Sequence, residues 1–156
     1  IGKLKHLRYL DISKKKIKLL PQSIGKLYNL QTLRLDDLNL EEFPKELQNL
    51  INLRHIYFYL DGMKFPAGMG RLTNLRTLQY FMVGKETGRG IEELARLNLL
   101  KGLLCINNLE RVRDGEEAKK AKLVKKTKKM KLNILVLTSE FISLVFFCPI
   151  NLTKCC

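Results

Sequence analysis

The sequence is poor in the residues that carry out chemistry. It has two histidines, His6 and His55, and neither stands in a cluster of Cys, Asp or Glu at ligand spacing. That argues against a zinc site and against acid–base work by an imidazole. No Ser–His–Asp or Cys–His arrangement can be built from the spacing. Catalytic, metal and cofactor-binding residues are therefore expected to be none, and the chain is not read as an enzyme. Cysteine is equally sparse: Cys105, Cys148, Cys155 and Cys156, three of them in the last nine residues. Their spacing is neither a zinc pattern nor a disulfide framework, and the usage suits a reducing compartment. Cys105 sits in an apolar stretch and reads as a small buried hydrophobe. Long apolar runs are missing too. Residues 141–152 come nearest, but Ser143, Pro149 and Asn151 break them, and they fall short of the ~20 residues of a membrane span. They read as a buried strand or an unstructured tail. Residues 1–10 hold no apolar run of signal-peptide length.

Acid is in short supply. There are 15 Asp and Glu against 29 Lys and Arg, a net charge of +14. Such a surplus invites a nucleic-acid or acidic-membrane reading. The charge is uneven, however: residues 119–131 contain eight lysines and no acid.

What is present is a repeat. Leu20-Pro21, Phe43-Pro44 and Phe65-Pro66 stand 23 and then 22 residues apart. Aligned on them, Leu7, Leu10, Ile12, Ile17, Leu20, Ile24 and Leu27 match Leu30, Leu33, Leu35, Leu40, Phe43, Leu47 and Leu50. A third copy runs Leu53, Ile56, Phe58, Met63, Phe65, Met69 and Leu72, one residue short in the turn before Pro66. A fourth begins Leu75, Leu78, Tyr80 and then departs. The spacing L-x-x-L-x-L is the leucine-rich-repeat signature. In Leu10-Asp11-Ile12 the alternation sends Leu10 and Ile12 inward and Asp11 outward, as in a short strand. Each repeat adds one strand to a parallel sheet, and no repeat can close a core alone. The expected fold is an α/β leucine-rich-repeat solenoid: a curved parallel β-sheet on the concave face, irregular turns and short helices on the convex face. The position where many such repeats carry a buried Asn is here Lys15, Leu38 and Asp61.

The segments IGKLKHLRYLDIS, LPQSIGKLYNLQTLRL, FPKELQNLINLRHI and FPAGMGRLTNLRTLQYFMVGKETGRGIEEL resemble one family closely. They are similar to the repeat region of plant intracellular disease-resistance proteins, the coiled-coil class of nucleotide-binding, leucine-rich-repeat receptors. LLCINNLERVRDGEEAKKAKL resembles it as well, so the likeness covers about residues 1–137. It implies a protein–protein recognition module of an immune receptor acting in defence. Implied partners are the receptor's own nucleotide-binding domain, held off by autoinhibitory contact, and a pathogen effector or guarded host protein. The implied location is the cytoplasm, with the nucleus as an alternative. The family's nucleotide-binding motifs are not in this sequence. The loop at 84–90 (GKETGRG) is glycine-rich but lacks the G-x-x-x-x-G-K-[ST] order, and reads as a flexible surface loop.

Domain organisation follows from the period. Residues 1–137 are read as the repeat domain: regular repeats over 1–83, a loop over 84–90 and irregular repeats over 91–137. Ile91, Leu94, Leu97 and Leu100 keep helical spacing. Leu104-Cys105-Ile106 reads as a strand, followed by Leu109 and Val112. Asp114 is an N-cap candidate for a short helix from Gly115, with Glu116 and Glu117 in its first turn and Ala118, Ala121 and Val124 on one face. Residues 132–137 read as the next strand. Residues 138–156 keep no repeat spacing and form an atypical tail, as a truncated or misread gene product would. The sequence reads as a piece of something longer. An uncapped first repeat should leave Leu4, Leu7 and Leu10 as an open apolar edge.

Candidate contact residues are the outward positions of the strands, in three columns. One is Tyr9, Thr32, His55 and Thr77; the next is Asp11, Arg34, Tyr57 and Gln79; the third is Ser13, Asp36, Tyr59 and Phe81. His55, Tyr57, Tyr59 and Phe81 form the best local hot-spot candidate. The bland alternative is an ordinary solvated strand face. A basic patch, Lys119, Lys120, Lys122, Lys125, Lys126, Lys128 and Lys129, offers the second class of function, a nucleic-acid or acidic-membrane binder. No aromatics interleave with it, so a solvated helix is the favoured reading and nucleic acid is disfavoured as a partner. A free-standing repeat adaptor is the third reading. A smaller patch is Lys14, Lys15, Lys16 and Lys18.

Overall fold

The alternation within each repeat builds one short parallel strand. A computed structural model describes residues 1–15, 17–36, 40–58, 65–123 and 130–134. Strands β1 (Tyr9–Asp11), β2 (Thr32–Arg34), β3 (His55–Tyr57) and β4 (Thr77–Leu78) form a four-stranded parallel sheet in chain order. The register advances by one repeat per strand, with Leu10 opposite Leu33, Leu33 opposite Ile56 and Ile56 opposite Leu78. Leu33, Leu35 and Ile56 are fully buried. Leu7, Leu10 and Ile12 of the first repeat are partly buried and Leu4 is exposed. Past each strand the ladder continues by single bonds, such as the Ile12 N–H to the Arg34 carbonyl at 3.1 Å.

The prolines that mark the period open the opposite side of the solenoid. Pro21 and Pro44 precede the 3₁₀ turns Gln22–Lys26 and Lys45–Asn49. Their ring-fixed φ holds the chain extended at the entry, and their missing N–H has no ladder partner to lose. Each turn buries one aliphatic side chain, Ile24 or Leu47. Neighbouring turns touch at Gly25, where a Cβ would stand 2.8 Å from the Glu46 carbonyl oxygen.

The first sheet does not run on. β5 (Tyr80–Met82), β6 (Gly102–Asn107) and β7 (Met130–Ile134) make a second parallel sheet. Only Gln79 separates β4 from β5, and there the inward phase slips by one residue. Leu78 is buried, and the next fully buried residue is Phe81 rather than Tyr80. The cause lies in the following repeat. Leu100 and Leu104 are the buried pair there, one residue further apart than Leu30 and Leu33, and Gly102 takes φ +80° between them. β5 follows the phase of β6, with Phe81 opposite Ile106. A one-residue slip of this kind turns a strand's side chains over.

The slip corrects the expectation that Phe81 is an outward contact residue. It is 1% exposed and stacks at 5.9 Å on Phe65. Phe65 in turn lies 5.4 Å from Phe58 and 5.3 Å from Phe43. These rings fill the core at the junction of the sheets.

The helical spacing over 91–100 resolves as a 3₁₀ turn, Ile91–Arg96, with Leu97 and Leu100 buried beyond its end. Strict steps of three residues suit a 3₁₀ period better than an α-helical one. Helix α1 (Gly115–Lys120) starts where Asp114 caps it, its carboxylate accepting the Glu117 N–H at 2.8 Å. Ala118 and Ala121 pack against the core. The glycine-rich loop is closed at both ends: the Gly84 N–H donates to the Arg89 carbonyl and the Gly68 N–H to the Gly88 carbonyl, each at 2.8 Å. Cys105 is buried, as expected of a small apolar side chain. Tyr59, Leu38, Asp61, Met63, Val124, Lys125, Lys126, Lys128, Lys129 and residues 135–156 lie outside the described residues. Among the described residues no helix is long and apolar enough to cross a membrane.

Candidate recognition surface

Strand register decides which outward residues meet. Tyr9, Thr32, His55 and Thr77 stand side by side across β1–β4, and Asp11, Arg34 and Tyr57 do so one pair further along. The structure thus brings the expected columns together, apart from Gln79 at the sheet junction, Phe81 in the core and Tyr59 outside the described residues.

The side chains of these columns interlock. The Tyr9 hydroxyl donates to Asp11 Oδ2 at 3.3 Å, and the Ser13 N–H donates to Asp11 Oδ1 at 2.9 Å. Arg34 Nη2 donates to Asp36 Oδ2 at 2.9 Å, with Arg34 Nε 3.9 Å from Asp11 Oδ2. The Asp36 N–H reaches back to Ser13 Oγ at 3.2 Å. On its other side the Arg34 guanidinium lies 5.4 Å from the centre of the Tyr57 ring, in cation–π range. The Tyr57 ring stacks on His55 at 6.2 Å, and His55 Nδ1 is 2.9 Å from Thr77 Oγ1. One connected array therefore crosses all four strands, with Arg34 at its centre.

The array sets the local proton affinities. Hydrogen bonds from Ser13, then from Tyr9, hold the Asp11 carboxyl below the usual range, with the Arg34 charge adding to them. The Asp36 carboxylate, then Tyr9, raises Arg34. Burial lowers His55, and the charges of Arg76 and Arg54 lower it further. Such a surface offers a fixed cation, hydroxyls and two aromatic faces. Gln79 sits at the junction, where its carbonyl accepts the Cys105 N–H at 2.8 Å.

Of the basic patch, Lys119, Lys120 and Lys122 lie among the described residues. Lys119 pairs with Glu116 at 2.6 Å, while Lys120 and Lys122 are exposed. Lys14, Lys15 and Lys18 are exposed in the turn after β1. A groove beside the glycine loop is lined by both signs of charge, including Lys85, Glu86, Glu110, Arg113 and Glu117. Arg113 and Glu117 are paired there at 3.1 Å. Among the described residues no group of His, Cys, Asp and Glu could hold a metal ion.

The spacing places the buried-Asn column at Lys15, Leu38 and Asp61, and Lys15 is exposed. An asparagine ladder exists elsewhere. Asn29, Asn52 and Asn74 each donate a side-chain N–H to a carbonyl of the preceding repeat, at Lys5, Tyr28 and Ile51, over 2.8–3.0 Å. The recurring Asn-Leu pair, 23 and then 22 residues apart, was the signal that could have found it. His6 holds that place in the first repeat.

Comparison with known proteins agrees with this geometry. Among solved structures, a leucine-rich-repeat protein of Leptospira interrogans is similar with a TM-score of 0.59 at 25% identity. The match covers 88% of this chain and 32% of that one, so the chain spans about a third of its relative's length. An internalin of Listeria monocytogenes is matched at 17% identity and a TM-score of 0.36, over 86% of this chain and 49% of that one. No curated protein matches. No enzyme family is indicated by these comparisons. The family model described as a leucine-rich repeat region matches residues 1–146, and with one strand per repeat stacked in register, the chain belongs to that leucine-rich-repeat family.

Proposed function

We propose that the chain is the protein-recognition module of a plant intracellular immune receptor, with residues 1–83 carrying the contact surface. The observation that supports this best is the connected array from Tyr9 through Arg34 and Tyr57 to Thr77 across four registered strands. Aromatic rings and an arginine already held in place lose little freedom on binding, which is what an interface hot spot needs. The plant-receptor identity is supported by the resemblance of the quoted repeat segments and of the insert over 84–93. In that reading the surface contacts the receptor's own nucleotide-binding domain at rest and takes part in sensing an effector or a guarded host protein, in the cytoplasm.

The test begins with the transcript. Sequencing upstream of Ile1 is expected to reach a phosphate-binding loop and a nucleotide-binding domain. That domain, made separately, should then bind this chain, and the Arg34→Ala/Tyr57→Ala double variant should weaken the complex about tenfold or more. A transcript with no such domain, or a double variant with unchanged affinity, overturns the reading.

A further inference from the structure

The chain enters β1, β2, β3, β4 and β6 through the same tight turn. The N–H groups of Leu7, Leu30, Leu53, Leu75 and Leu100 each donate to the carbonyl three residues back. The asparagine ladder ties the first four of these turns to one another. This edge of the solenoid is therefore rigid before any partner arrives.

Its charge is sorted. The five turn segments, 3–9, 26–32, 49–55, 71–77 and 96–102, hold nine Lys and Arg and no Asp or Glu. Arg8, Arg54, Arg71, Arg76, Arg96 and Lys101 are all exposed, and among the described residues no ion pair reaches them. Arg34 on the sheet face differs, with Asp36 and Asp11 beside it. Like charges facing each other across neighbouring strands, about 4.8 Å apart, destabilise a sheet. Arg54, Arg76 and Lys101 stand on adjacent turns, the Arg76 N–H donating to the Arg54 carbonyl at 2.7 Å and the Lys101 N–H to the Arg76 carbonyl at 2.8 Å, with no acid between them. Apolar side chains lie among them: Tyr28, Ile51 and Leu99 are 44%, 52% and 41% exposed.

We propose that this strand-entry edge is the docking site for an acidic protein segment with apolar side chains, laid in extended form across the five turns. Charge complementarity selects the acid. Five of the nine cations are arginine, whose planar fork matches a carboxylate in a way lysine does not. Five turns span roughly 19 Å, the length of about six extended residues. A membrane fits less well, because side chains already half sunk in the protein cannot reach the ~5–10 Å depth of an interfacial anchor. A single-stranded nucleic acid would want a stacking ring on turn after turn, and the exposed edge offers Tyr9 and Tyr28 among aliphatic neighbours. An acidic segment would also offset the field of Arg54 and Arg76 that now depresses His55. The inference rests on the protein-recognition reading in taking a protein as occupant, but it uses a different surface, so either can fail alone.

The experiment measures binding of a short labelled peptide of Asp, Glu and Leu to the full chain by fluorescence anisotropy. The same peptide with Asn and Gln for the acids is the comparison probe. The acidic peptide alone is expected to bind. Arg54→Glu/Arg76→Glu should weaken it about tenfold or more, while Lys14→Glu/Lys18→Glu, the same change of net charge after β1, should change it less than about threefold. Equal losses in the two variants would reduce the effect to net charge and overturn the proposal. So would equal binding of the neutral peptide, or displacement of the peptide by a duplex oligonucleotide or phosphatidylserine vesicles at lower charge concentration. Loss of peptide binding in Arg34→Ala/Tyr57→Ala would move the segment to the sheet face, sinking the edge proposal while leaving the recognition reading in place.

Discussion

The two sheets come from the same repeat and differ in its regularity. In the first, steps of 23, 23 and 22 residues keep Leu10, Leu33, Ile56 and Leu78 opposite one another, and the outward residues fall into columns that bond to their neighbours. In the second, Tyr80 pairs with Cys105, a step of 25, and the outward columns are not continued. Leu103 is 46% exposed there, while Cys105 is buried between two inward neighbours. A strict period makes a usable surface as well as a core. One added residue is absorbed by the backbone, at Gln79 and Gly102, and the surface pattern is lost on the far side.

The largest test of that contrast is Phe81. Phe81→Ala removes a fully buried ring and should cost about 3–5 kcal/mol in urea unfolding. Tyr57→Ala, at an outward aromatic of the regular sheet, should cost less than about 1 kcal/mol. Equal small costs would restore Phe81 to the surface and erase the difference between the sheets.

Glycine sharpens the same comparison. Gly25→Ala pushes a Cβ against the Glu46 backbone and should cost about 1–3 kcal/mol, because two stacked turns must part. At Gly102 nothing lies within 4 Å of an added Cβ, so the cost is the left-handed backbone alone, about 1–2 kcal/mol. Asn tolerates that conformation. Gly102→Asn should recover most of the loss, and Gly25→Asn should recover none. Recovery at both positions would mean that the turns are not tightly stacked.

The asparagine ladder is a smaller effect. Asn52→Ala removes the bond to the Tyr28 carbonyl and should cost about 0.5–1.5 kcal/mol. Asp114→Ala in the second region removes a helix cap and should cost about 1 kcal/mol. Hydrogen exchange separates them. Losing Asn52 should loosen the entry turns of two adjacent repeats, whereas losing Asp114 should loosen α1 alone. Exchange confined to a single repeat in the Asn52 variant would argue against a ladder that couples repeats.

Strand placement in the first three repeats was legible because alternation and period agree there: Leu33 and Leu35 inward, Arg34 between them. The cap at Asp114 was legible because capping is local chemistry. Phe81 was not legible, since its direction is set by β6, some 25 residues later, through the pairing of Phe81 with Ile106. The asparagine ladder is not legible from the repeat signature, because its bonds lie between repeats and its column stands before the strand instead of after it. The links within the surface array were legible as columns, but the choice of Asp36 as the first partner of Arg34 needed side-chain geometry.

The smallest effect is a pH dependence carried by His55. Its folded pKa lies below the ordinary 6.5, chiefly through burial and then through Arg76 and Arg54. The unfolded chain then binds the proton first, so stability is full above pH 6.5 and falls as pH drops from there through the folded value. Asp11 and Glu117 are also lowered in the fold, from 3.8 and 4.5, so their contribution is lost only in a more acid window. The two windows can be told apart. His55→Gln should flatten the decline just below pH 6.5 and leave the acid limb unchanged. Arg54→Gln should move the His55 titration, followed by NMR at the imidazole, upward toward 6.5. It acts by removing a charge from the entry edge, so the shift reports the cationic field of that edge. A titration indifferent to Arg54 would leave burial and Arg76 to lower His55, and would count against a cationic field shared along the edge.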